Sequence, residues 1–282
     1  MSGPLLAGWK VALLEARLAS EAASLVRRMG GEPVSVPALR EEPVPSGPAV
    51  ASFLGLLNRG ELAFVVLQTG VGVNALALEA DRLGRKRDLV YGLESVRIVS
   101  RGPKPASALA ALGLRPTIST VSPHTTTELL ALLEPLPLEN AGVGVLHYGE
   151  RNETIAAALR RRGATVHELT LYEWRLPEDL APLKALAAQI LAGEVDAVAF
   201  TTQVQVRHLF GVTDFNLRPA LAQALEERVV TGAVGPTCAA ALRARGVHDV
   251  VVPQNPKLGP LFAALASRLA ARHSRPREAT EV

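Results

Sequence analysis

The chain has 282 residues, 48% of them apolar and 20% charged, with a formal net charge of +3. That is enough apolar material for more than one core, so two domains are expected, while a near-neutral balance with 4% aromatic residues offers neither the charge footprint nor the stacking platform of a nucleic-acid binder. No apolar run reaches the roughly 18 to 20 residues of a membrane span, no basic segment leading into a long apolar stretch opens the chain, and the one cysteine excludes internal disulfides and thiolate clusters, so a soluble cytoplasmic protein without membrane contact is expected.

In chain order, short valine-rich runs read as strands: VALLEA (11–16), AFVVLQ (63–68), VRIVSR (96–101), VGVLHY (143–148), AVAFTT (197–202) and VVTGAV (229–234). SEAASLVRRM, ASFLGLLN, KPASALAAL, TTTELLALL, TIAAALRRR, LAPLKALAAQIL, AAALRAR and LFAALASRLA alternate with them and carry apolar residues at helical spacing. Strands that are continuously apolar suit parallel sheets covered on both faces, which makes the fold class α/β, doubly wound. The basic stretch GRKRD (84–88) reads as a loop, and the basic tail from Arg272 is expected to be mobile. Cys238 reads as a small packed residue, because no His or Asp motif frames it as a nucleophile.

The chain repeats itself at an offset of 133 residues (235 − 102): GPKPASALAALG (102–113) and GPTCAAALRARG (235–246) share seven of twelve residues. The same offset aligns GELAFVVLQTGVGVNAL (60–76) with GEVDAVAFTTQVQVRHL (193–209), and RRMGGEPVSV (27–36) with RRRGATVHEL (160–169). A duplicated unit follows. It also tests the stretch TGVGVNA, whose two glycines fit a dinucleotide fingerprint: their counterparts are Gln203 and Gln205, whereas Thr69 keeps Thr202 and the apolar helical face persists. The shared motif is therefore strand, capped turn, helix.

Two extended segments break the rhythm at equivalent places, VPALREEPVPSGP (36–48) and ELTLYEWRLPED (168–179). If the chain leaves one domain at the first and returns at the second, residues 45–166 form an inserted domain and residues 1–36 with 177–282 a discontinuous one. Residues 37–44 and 167–176 then pair as linker strands, giving two lobes with a central cleft; two sequential copies are the other arrangement. Polar turns stand at the predicted carboxyl ends of strands, where ligands of open α/β sheets bind and where helix N-termini favour anions. Thr69, Thr125, Thr202 and Thr237 are read there either as helix caps or as anion ligands. The six histidines share no i, i+3 or i+4 spacing, so no metal site is expected.

TGVGV, HYGERNET, LTLYEWRLP, AFTTQVQV and AVGPTCAAAL, in this order and spacing, resemble the uroporphyrinogen-III synthase family over about residues 10 to 272. The resemblance implies two α/β domains joined by a two-stranded ladder, no cofactor, a monomer, and a linear tetrapyrrole bearing eight carboxylates as substrate, cyclised with inversion of ring D and loss of water. The family's tyrosine of the returning linker falls on Tyr172, implied to assist departure of the ring A hydroxyl; the alternative is an aromatic pinned beside Trp174. The substrate's carboxylates are implied to meet Thr69, Gly70, Ser122, Thr125, Gly149, Arg151, Thr201, Thr202, Gly235 and Thr237. The sequence departs from the commoner family wording at TGVGV and TTQVQV, which keeps open a non-catalytic homologue that binds an anion.

Overall fold

The computed structural model describes residues 5–147 and 149–273. The order of elements is β1 (Lys10–Leu13), α1 (Ala19–Arg28), β2 (Glu32–Ser35), β3 (Arg40–Pro43), α2 (Gly47–Asn58), β4 (Phe64–Leu67), α3 (Gly70–Arg82), α4 (Lys86–Glu94), β5 (Arg97–Ser100), α5 (Pro103–Ala110), β6 (Ile118–Ser119) and α6 (Thr126–Leu133). It continues with β7 (Gly142–Leu146), α7 (Glu153–Arg161), β8 (Thr165–Leu169), β9 (Tyr172–Arg175), α8 (Ala181–Ala192), β10 (Ala197–Phe200), α9 (Gln203–Val212), α10 (Arg218–Gln223), β11 (Val230–Ala233), α11 (Pro236–Arg243), β12 (Val250–Val251) and α12 (Leu258–His273). The fold is α/β with two parallel five-stranded sheets, in the orders β12-β11-β10-β1-β2 and β6-β5-β4-β7-β8.

The chain divides into two compact units, one made of Met1–Arg40 with Arg175–Val282 and the other of Glu41–Trp174. It passes between them at β3 and β9, which pair as a separate two-stranded sheet. The offset seen in the sequence is the offset of the elements: Phe64 and Ala197 open β4 and β10, Arg97 and Val230 open β5 and β11, and Glu32 and Thr165 open β2 and β8. Mapped in this way the two strand orders are identical. Each sheet nevertheless takes strands from both copies, since β1 and β2 join β10 to β12, and β7 and β8 join β4 to β6.

The central strands show why their sequences are continuously apolar. In β4, Val65 and Leu67 enter one core while Phe64 and Val66 enter another on the opposite face. Val198 and Phe200 of β10 are likewise divided from Ala197 and Ala199. Each fully buried Phe or Leu in such a layer contributes about 1.5 to 3 kcal/mol of transfer free energy. Cys238 is buried in the first of the β10 cores, where burial pushes its thiol up to about 12, in keeping with a packed residue.

Several local expectations are corrected. Asp88 lies in α4 rather than in a loop, and its carboxylate accepts from Arg85 Nε at 2.7 Å, so the basic run GRKRD turns directly into a helix. Residues 167–169 belong to β8, an edge strand of the sheet, because Glu168 and Leu169 register with Val145 and Leu146; the departing connection begins beyond them. Arg272, placed in the tail by sequence, is in α12 and bonds the Asp249 carboxylate at 3.1 Å. The rest of that tail, from residue 274, and Tyr148 lie outside the described residues. No helix among the described residues is long and apolar enough to cross a membrane.

Candidate functional site

In each sheet the chain winds outward in both directions from one central pair of strands, β4 and β7 in one unit, β10 and β1 in the other. Loops diverge at the carboxyl ends of such a pair, which is where an open α/β sheet can admit a ligand. In the Glu41–Trp174 unit the turns concerned are residues 68–72 after β4 and residues 147–152 after β7.

Thr69 is the N-cap of α3: its backbone is extended, and its Oγ1 accepts from the Gly72 N–H at 3.0 Å. The same oxygen lies 3.0 Å from the phenol oxygen of Tyr172, the first residue of β9, which is only 5% exposed. Gly70 is required by close packing, since a Cβ there would sit 2.7 Å from the Lys104 carbonyl oxygen at the start of α5. Gly149 is required twice over: its φ is +76°, and a Cβ would run into the Trp174 indole. Trp174 N–H donates to the Gly149 carbonyl at 3.0 Å, and the Tyr172 and Trp174 rings meet edge to face at 6.3 Å.

Behind these turns lies a buried polar cluster. His147 is 1% exposed; its Nε2 is 2.8 Å from Glu168 Oε2, and its Nδ1 accepts the Asn152 backbone N–H at 3.2 Å. Gln68, also 1% exposed, reaches the Leu146 carbonyl and His147 Nδ1 through its Nε2 at 3.3 and 3.4 Å, while its Oε1 accepts from Asn152 Nδ2 at 3.3 Å. Asn152 caps α7 through Oδ1 and also donates to Thr126 Oγ1 at 3.1 Å. Arg151 grips Glu168 with two bonds of 2.6 Å and Arg160 reaches the same carboxylate.

The charges follow from this arrangement. The Arg151 guanidinium draws the Glu168 carboxyl down to about 2 against the opposing effect of partial burial, with Arg160 and His147 assisting. Burial pushes His147 below its ordinary value despite Glu168, which favours the neutral ring. A carboxylate only accepts, so the imidazole hydrogen sits on Nε2, and Nδ1 is left as the acceptor that Asn152 requires.

In the other unit the equivalent turn is built differently. Thr202 caps α9 in a capping box with Gln205, whose side-chain oxygen accepts from Thr201 N at 2.7 Å and whose Nε2 donates to Thr201 Oγ1 at 2.8 Å. The Thr201 hydroxyl donates to the Glu15 carboxylate. Leu14 stands where the first unit has His147, and Leu39, 7% exposed, where it has Tyr172.

Of the site residues read from sequence, Thr69, Gly70, Gly149, Arg151 and Tyr172 belong to this one group of turns. Thr125 is a helix cap in a capping box with Glu128 at the start of α6, and Ser122 is exposed before Pro123. Thr201 and Thr202 hold the turn after β10. Gly235 is the buried N-cap of α11, and Thr237, read as a cap or an anion ligand, is exposed inside the helix and caps nothing there. Sequence reasoning missed His147, Glu168, Gln68 and Asn152. The repeat carried the signal, because at the 133-residue offset His147, Glu168 and Asn152 align with Leu14, Ser35 and Ala19. Among the described residues no group of three or more His, Cys, Asp or Glu is placed to hold a metal ion.

Comparison with known proteins gives a consistent result. Residues 20–263 match the family described as Uroporphyrinogen-III synthase HemD. A mutant uroporphyrinogen III synthase from the extremely thermophilic bacterium Thermus thermophilus superposes with a TM-score of 0.77 at 31% identity, covering 94% of this chain and all of that one. The uncharacterized protein YjjA of Bacillus subtilis is 30% identical over 94% of this chain and 97% of its own length. The uroporphyrinogen-III synthetase of Helicobacter pylori, 16% identical over 94% of this chain and all of that one with a TM-score of 0.53, shares the fold.

Proposed function

The chain belongs to the uroporphyrinogen-III synthase family, and we propose that it is itself a lyase that closes hydroxymethylbilane into uroporphyrinogen III with inversion of ring D and loss of water. The observation that carries the reading is the Tyr172 phenol, held 3.0 Å from the Thr69 hydroxyl at the carboxyl end of the central strand pair.

Loss of the ring A hydroxyl requires a proton on the departing oxygen. Thr69 Oγ1 already accepts from the Gly72 N–H; when its own hydrogen is given to the phenol oxygen, the phenol hydrogen can be given to the leaving hydroxyl. The C–O bond breaks, water departs, and ring A is left as an azafulvene electrophile. The substituted carbon of ring D attacks it, the spiro product fragments, and closure at the free carbon releases the proton that restores the phenol. The pyrrole supplies the electrons; the protein supplies orientation, worth several kcal/mol when reacting atoms are held in contact. The carboxylates of the substrate suit the unpaired N–H groups and positive ends of helix N-termini such as that of α3 at Gly70. Arg151 is engaged with Glu168 and Glu153, so its part is to set the turn as much as to meet an anion.

Purified protein given freshly prepared hydroxymethylbilane is expected to yield the III isomer in excess of the spontaneous I isomer. Equal isomer ratios with and without protein would overturn the reading. They would favour the second one, a non-catalytic anion binder, for which the burial of the Tyr172 ring speaks.

A further inference from the structure

We propose that His147 and Glu168 are positioning residues for Tyr172, acting through the turns that hold its phenol, an inference that rests on Tyr172 serving as the acid. His147 sits between three elements. Its Nδ1 fixes the backbone of the turn after β7 at Asn152, and its Nε2–H meets Glu168 in β8. Gln68, which contacts both His147 and Asn152, directly precedes Thr69, whose hydroxyl touches the phenol. The turn that His147 holds presents Gly149, whose carbonyl takes the Trp174 N–H two residues beyond Tyr172. The phenol is thus held from the turn after β4 at its oxygen and from the turn after β7 through its own strand.

The fold does not require this cluster. At the same places the sister unit has Leu14, fully buried, for His147, Ser35 for Glu168, Leu18 for Arg151 and Ala19 for Asn152, in a sheet of identical strand order. Replacing buried polar groups by packed apolar ones is commonly neutral or stabilising, so folding alone gives no reason for an imidazole and a carboxylate in one unit and leucine and serine in the other. The unit that has the cluster is the one that has the tyrosine. A network in which Nε2 donates, Nδ1 accepts and Glu168 is gripped by two arginines has one arrangement, as accurate placement of an acid demands.

A double-mutant cycle tests the inference. His147→Leu, the sister residue, is expected to lower kcat about ten-fold with KM within about two-fold, while the protein stays folded with a thermal midpoint lowered by a few degrees, because the Asn152 N–H loses its acceptor. In a Tyr172→Phe background it is expected to lower kcat no further, since a group that acts through the phenol has nothing left to position. His147→Asn, whose Oδ1 stands near the position of Nδ1, is expected to restore most of the loss. An equal loss in both backgrounds, or none in the first, would overturn the proposal. If His147→Leu does not fold, Asn152→Ala carries the same cycle. If Tyr172→Phe itself leaves turnover unchanged, the acid role fails, and the positioning is then read without turnover: in protein labelled with 3-fluorotyrosine, the resonance lost in Tyr172→Phe is expected to move on His147→Leu, and an unmoved resonance overturns it.

Discussion

The turns after β4 and β10 descend from one sequence and begin alike, each with a threonine that caps the helix following a buried strand. Beyond the threonine they part. After β10 the turn closes on itself, with Gln205 bonding Thr201 and Thr202 and the Thr201 hydroxyl bonding Glu15. After β4 Gly70 lets α3 approach the backbone of α5, and the cap oxygen, besides holding the Gly72 N–H, meets a phenol from another strand. One copy has spent its polar groups on local order and the other presents them to a third element. A duplicated fold can specialise in this way because the cap alone suffices to start the helix.

Three substitution pairs would break or sharpen this contrast. The largest effect is expected for Tyr172→Phe, which should lower turnover about ten-fold or more while the urea midpoint stays in place; Leu39→Met, at the equivalent site, should leave turnover within about two-fold. Equal losses at both positions would erase the distinction between the units.

Gly70→Ala is expected to destabilise by about 1 to 3 kcal/mol, because the added methyl must push the backbone of Lys104 away, whereas Gln203→Ala should stay within about 0.5 kcal/mol. Equilibrium urea unfolding separates the two, and a Gly70→Ala protein as stable as its parent would mean that the helices part without cost.

Glu168→Gln is expected to cost about 1 to 2 kcal/mol at pH 7, allowing for the half-exposed arginines that grip it, against about 0.5 kcal/mol or less for Ser35→Ala. The sign follows from the depressed carboxyl. Glu168 titrates near 2 in the folded protein and near 4.5 when unfolded, so its contribution is whole above about 4.5 and is lost as the pH falls toward 2. The gap between parent and Glu168→Gln should therefore close across that window. His147 acts in the same sense at milder acidity: its folded value lies below the ordinary 6.5, so the unfolded chain takes up that proton first as the pH falls. Stability profiles by urea titration at pH 7, 4 and 2.5 would check both, and a gap that persists at pH 2.5 would show that the carboxylate was not the source.

The fold class was legible because β4, β10 and β11 are buried on both faces, which leaves a continuous apolar run that few other structures explain. The edge strands were not. β6 and β12 have two residues each and β2 contains Pro33, so their register comes from neighbouring strands and not from their own composition. Tyr172, Thr69 and Gly149 could be named because they sit in motifs, whereas His147 lies in a stretch that reads as ordinary strand and Glu168 in one that reads as linker. Only comparison with Leu14 and Ser35 marks them as unusual. Arg151 was named from the family resemblance alone, and a matching position does not say whether its charge faces a ligand or a glutamate on a neighbouring strand.

The exchange of strands between copies fixes the order in which the molecule can be completed as it leaves the ribosome. Every strand of the β4 sheet, and both of its apolar cores, lies within Glu41–Trp174, so this half can close while synthesis is still under way. β1 and β2 emerge first yet must wait for β10, nearly two hundred residues later, since Lys10 N–H pairs with Asp196 across 186 positions. A fragment of residues 41–174 is thus expected to fold by itself in circular dichroism and amide dispersion, and one of residues 1–133, a single copy of the repeat, is not; the reverse result would show that the gene's unit of duplication is also its unit of folding.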